Sequence, residues 1–170
     1  MTMTWTVNTT ERFGGSYRAP RINPYLPART EALDGNGSTF SYKDIGKPVV
    51  LYNDKVRAAT SGDEIYGFIE SVEAATQGGY GVGGVLSDPG HEVLAVDAVG
   101  DLAVGDLVVA GTATAIGTQT PALGANVIKA TTEFSVDSST DVPIVPVFKW
   151  MVLAYYGVQG AGKQVMLRRV

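Results

Sequence analysis

Val49-Val50-Leu51-Tyr52-Asn53-Asp54-Lys55-Val56-Arg57-Ala58-Ala59 is the stretch whose reading decides the fold class. Its first four residues are β-branched, aliphatic or aromatic, and they suit a pleated, half-buried surface. Asn53 and Asp54 tolerate the backbone conformations of a tight turn. Val56 to Ala59 resumes the apolar run, and Ser61-Gly62-Asp63 turns again. Strand, turn, strand and turn in so short a span are the spacing of an all-β domain.

The same pattern continues outward. In residues 64–73, Ile65, Ile69 and Val72 fit helical spacing, but β-branched and aromatic residues dominate and turns flank the segment closely, so it reads as strand. Gly78 to Gly84 reads as a glycine-rich loop or edge segment. His91 to Asp97 is a strand, and Leu102 to Gly111 a turn followed by a buried strand. Residues 112–143 are rich in Thr, Ala and Ser, with Ile116, Val127-Ile128 and the pair Phe134 and Val136 as strand centres. Val145–Tyr156 and Lys163–Val170 form two strands around Gly157–Gly162, a hairpin with a wide loop. Ile45-Gly-Lys-Pro-Val-Val-Leu51 echoes Val104-Gly-Asp-Leu-Val-Val-Ala110: a glycine turn, then an apolar strand. Two copies suit a compact barrel or sandwich.

Residues 1–30 differ from the rest. Between Arg12 and Arg29 stand Pro20, Pro24 and Pro27, which lack amide donors and force extended backbone on the residues before them. Neither a central strand nor a helix fits. Yet Arg12, Phe13, Tyr17, Arg18, Arg21 and Tyr25 interleave the residue types enriched at interface hot spots. The segment reads as an arm that orders on a partner; the alternative is that it packs back on its own domain. Residues 31–42, with Asp34-Gly-Asn-Gly37, read as a linker or tight turn. The expected organisation is an extended arm and linker over 1–42 and a β-rich domain over 43–170 that ends in the C-terminal hairpin.

Charge is unevenly placed. Residues 1–30 hold four arginines against one glutamate, residues 31–146 hold five basic and sixteen acidic side chains, and residues 147–170 hold four basic side chains and no acid. The acidic middle disfavours nucleic acid. Basic ends on an acidic body suit an acidic neighbour, including another copy of the chain. No apolar run reaches the length of a membrane span, and residues 1–5 lack the start of a secretory signal.

Reaction chemistry finds little support. There is no cysteine, so neither a disulfide nor a thiolate metal site is available. Gly157-Val-Gln-Gly-Ala-Gly-Lys163 matches a phosphate-cradling loop, but Gln164 stands where a Ser or Thr must hold magnesium, and the residues that follow read as strand rather than helix. His91 is the one histidine, and no nucleophile motif accompanies it. The carboxylates Asp63, Glu64, Glu70, Glu73, Asp88, Asp97, Asp101 and Asp106 read as solvated loop residues. The expectation is a non-enzymatic protein without cofactor or metal.

Asp44-Ile-Gly-Lys-Pro-Val-Val-Leu-Tyr52, Val56-Arg-Ala-Ala59, Gly62-Asp-Glu-Ile-Tyr-Gly-Phe-Ile-Glu-Ser-Val-Glu73 and Leu102-Ala-Val-Gly-Asp-Leu-Val-Val-Ala110 together resemble the head decoration (cement) proteins of tailed bacteriophages. The resemblance covers residues 44–117. It implies a small β-barrel or sandwich that sits on the outer face of the virion and stabilises the shell by bridging major capsid proteins. It also implies self-association, a homotrimer before a dimer, and synthesis in the host cytoplasm. The arm residues Arg12, Phe13, Tyr17, Arg18, Arg21 and Tyr25 are then the expected grip on the capsid. The competing readings are a tail-tube or head-fibre-base subunit and a β-rich nucleotide-binding enzyme.

Overall fold

The computed structural model describes residues 26–34, 40–73, 81–111, 126–130 and 147–170. The expected arm residues Arg12, Phe13, Tyr17, Arg18, Arg21 and Tyr25 lie outside the described residues. Within them the chain is all-β apart from a 3-10 turn at Tyr42–Asp44, and its strands close into two five-stranded barrels.

The first barrel contains β1 (Arg29–Leu33), β2 (Pro48–Tyr52), β3 (Lys55–Ala58), β4 (Gly67–Glu73) and β5 (Gly81–Leu86), joined in the order β1-β3-β2-β4-β5. The β2–β3 hairpin turns at Asn53 and Asp54, both with positive φ of 47° and 59°, the turn that matches strand twist. The second contains β6 (Glu92–Asp97), β7 (Leu107–Ala110), β8 (Asn126–Lys129), β9 (Trp150–Tyr155) and β10 (Lys163–Arg169), joined as β6-β8-β7-β9-β10.

These are one topology used twice. In each barrel the first and third strands pair in parallel and every other neighbouring pair is antiparallel. The correspondence holds residue by residue. Val49 faces Gly67 as Val108 faces Trp150. Leu51 faces Val56 as Ala110 faces Val127. Ile69 faces Val85 as Val152 faces Leu167, and a bulge follows at the same step of each pair. The amides of Gly46 (φ 90°) and Gly105 (φ 93°) donate to Ile69 O at 2.7 Å and Val152 O at 2.8 Å. The echo of residues 45–51 in 104–110 is the visible trace of this duplication.

Two expectations are corrected. Residues 29–33, read as the end of the arm and the start of a linker, form β1, a barrel strand between β3 and β5. Their alternation is weak because Arg29 and Thr30 face solvent, which hid the strand. Gly81–Gly84, read as loop or edge, is central strand between β4 and β1. Its glycines answer to crowding: a Cβ on Gly83 would stand 2.5 Å from Ser71 O, and one on Gly84 2.8 Å from Ser71 Oγ.

The barrels meet at corresponding ends. Arg29 opens β1 opposite Val85 near the end of β5, and Glu92 opens β6 opposite Arg168 near the end of β10, so the linker 87–91 joins like end to like end. The exchange across this joint is reciprocal. Ile65, two residues before β4, packs in the cluster that holds Val93, Val127, Trp150 and Leu167 of the second barrel. Phe148, two residues before β9, packs against the first barrel's core and meets Tyr66 edge-on at 5.1 Å. Phe68 and Trp150, both fully buried, complete the seam edge-to-face at 4.8 Å.

Candidate interaction surface

The first candidate surface is the joint. β1 starts there, so Leu26 to Arg29 lie at the seam between the barrels. This segment is held in several ways. His91, buried, accepts at Nδ1 from the Asp88 amide at 2.8 Å, which leaves the proton on Nε2 to face Leu26 O at 3.3 Å. Arg29 Nε meets Asp88 Oδ1 at 2.5 Å. Tyr66 donates to Glu31 Oε1 at 2.7 Å, and burial, followed by that carboxylate's hydrogen bond, moves its phenol pKa upward. The Glu64 carboxylate accepts from the Phe148 amide across the seam.

The C-terminal basic residues reach the same joint but are largely used inside the fold. Arg169 is buried and donates to the carbonyls of Ser87 (3.2 Å), Lys149 (3.1 Å) and Val170 (3.0 Å). Burial pulls its pKa down, and the Glu64 carboxylate opposes that. Arg168 forms an ion pair with Glu92. The positive charge that the sequence places at this end is therefore committed in large part to the protein's own groups.

The second candidate surface is the far end of the second barrel, where the loops 98–106 and 156–162 lie together. Asp97 organises it. Fully buried at the end of β6, its Oδ1 accepts from the amides of Val99 (3.2 Å) and Gly100 (2.7 Å), and its Oδ2 from the Leu102 amide (3.2 Å) and the Tyr155 hydroxyl (2.6 Å). Gly162 N donates to its carbonyl at 2.7 Å. Gln159 caps Leu102 O, and Gly100 sits so close to Ala161 that a Cβ there would be 2.3 Å from its nitrogen. On these fixed loops Val99 (61% exposed), Val104 (67%), Tyr156 (49%) and Val158 (80%) project outward.

The groups considered for chemistry fall into structural places. The Gly157–Lys163 segment is the loop of the β9–β10 hairpin. Asp63 accepts from the Thr60 amide and hydroxyl, and Asp106 pairs with Lys129 at 3.0 Å. Asp97 departs from the expectation of a solvated loop residue; its place within the apolar run of β6 hid no sequence signal, and only the loop folding back on it makes it a hub. Among the described residues no group of three or more His, Asp or Glu side chains is placed to hold a metal. No family model matches the chain, and no curated protein matches it either.

Proposed function

We propose that the chain is a capsid decoration protein that binds the outer face of a phage head and bridges neighbouring major capsid proteins. The observation that carries this reading is the rooting of the N-terminal segment at the joint. Leu26 and Arg29 are fastened to His91 and Asp88 of the inter-barrel linker, and Arg169 of β10 bonds the same linker through Gly90 N and His91 O, each at 2.9 Å. A pull on an arm bound elsewhere is then delivered to both barrels at once, which is what a clamp between subunits requires. The sequence resemblance over residues 44–117 supports the same class, since its motifs fall on β2, β3, β4 and β7. In this reading Arg12, Phe13, Tyr17, Arg18, Arg21 and Tyr25 grip the shell, several weak contacts per particle add through multivalency, and the protein catalyses nothing.

The test is truncation before Leu26, because removing β1 would open the first barrel. A chain lacking residues 1–25 is expected to melt as the full chain does and to lose co-sedimentation with heads assembled from the major capsid protein of the phage that carries the gene. Equal co-sedimentation of the two proteins would refute the arm's role.

A further inference from the structure

The shared register lets the first strand of one barrel be compared with the first strand of the other. Residues 29–33 of β1 stand where residues 93–97 of β6 stand, since Leu33 faces Gly81 as Asp97 faces Lys163. In β6 all of Val93, Leu94, Ala95, Val96 and Asp97 are buried, whereas β1 buries Leu33 alone and leaves Arg29 and Thr30 exposed. The strand across the ladder differs too. β1 lies opposite Gly84, Gly83 and Gly81, which offer it no side chains, while the equivalent positions opposite β6 are Met166, Val165 and Lys163. Side-chain burial sets most of the cost of lifting a strand away, because the freed backbone groups can bond water instead. By that measure β1 is much less firmly seated than its counterpart.

What holds β1 beyond its ladder is polar. Arg29 pairs with Asp88 at 2.5 Å, Glu31 accepts from the Tyr66 hydroxyl at 2.7 Å, and Asp34 pairs with Arg57 at 3.2 Å. The Arg29 side chain is 58% exposed, and ion pairs open to water hold weakly. We infer that β1 is a releasable strap: residues 29–33 detach from β5 and β3 as a local opening, while β2 to β5, the seam and the second barrel stay folded. Only Leu33 leaves a core when they do. Ile65, Phe68, Phe148 and Trp150, which knit the joint, all lie outside the released strand. Release bares the ladder edges of β5 and β3, which the closed ring otherwise covers. The inference concerns the fold itself and does not depend on what the N-terminal segment binds.

Hydrogen exchange of the full chain, read residue by residue by NMR and corrected for intrinsic rates, tests this with β6 as the internal standard. The slowest amide of residues 29–33 should exchange at least about a hundredfold faster than the slowest of residues 93–97. Arg29→Gln should raise exchange across β1 about threefold further and leave β6 as it was. Protection of the two strands within about threefold of each other overturns the inference, because β1 then opens only with the whole molecule. A variant in which both strands speed up together overturns it for the same reason. Exchange equally fast in β1 and in Gly67–Glu73 places the opening in the first barrel as a whole, and the strap is then wrong.

Discussion

A buried carboxylate must find a donor for each lone pair it keeps from water, and Asp97 finds three amides and a phenol. The phenol, Tyr155, lies 2.6 Å from both Asp97 Oδ2 and Leu102 O, one proton between two acceptors. Burial first, and then the hydrogen bond to Asp97, raise its pKa far above the ordinary value of 10.0. In the unfolded chain Tyr155 ionises near that ordinary value, while in the folded chain it keeps its proton. Its stabilisation is therefore complete below pH 10 and declines as pH rises from 10 toward the folded value. The slope is at most about 1.4 kcal/mol per pH unit, reduced by the water that reaches the ring. Urea melts at pH 8 and pH 11 should show a smaller loss for Tyr155→Phe than for the unaltered chain; equal losses would place the alkaline sensitivity elsewhere. Nothing in Asp97's neighbourhood of sequence announces this role, because its donors come from two to five residues downstream and from a strand more than fifty residues away.

At the scale of the strand, periodicity carried much of the answer. The β2–β3 hairpin was legible because Asn53-Asp54 names its own turn, and β6, β7 and β10 were legible as apolar runs between glycines. β5 was not, since Gly81-Val-Gly-Gly84 has the composition of a loop and its reason lies across the sheet in the Ser71 backbone. The Gly83→Ala substitution makes that reason measurable. The added methyl meets a backbone carbonyl that cannot step aside, so a loss of about 2 kcal/mol or more is expected from the overpacked pair β4–β5. Denaturant midpoints will report it, and a change below about 0.5 kcal/mol would mean that the strands separate freely at this point.

At the scale of the whole molecule, the sequence suggested one domain and the structure holds two barrels of one design. The duplication escaped reading because the barrels share register rather than residues: Leu33 corresponds to Asp97, and Gly81 to Lys163. A small barrel asks of each position only which way it faces, so the common plan survives with little common sequence beyond the turn of 45–51 and 104–110. The candidate surfaces were legible to different degrees. The arm was legible in composition, whereas the far end of the second barrel depends on two distant loops meeting. Because Ile65 and Phe148 are exchanged across the joint and Trp150 lies in its seam, the barrels should unfold together. Calorimetry should give one transition with matching calorimetric and van't Hoff enthalpies; two separated transitions would show that the seam contributes little.

Closure of each sheet also governs how crowded copies behave. An open sheet offers its outermost backbone amides and carbonyls to any neighbouring chain, and rows of molecules then zip together without regard to side chains. Here every strand of both rings already has a neighbour on each side. Among the described residues neither ring has an edge strand for a packed copy to extend, so contact between these two rings is left to side chains and loops rather than to fibril growth.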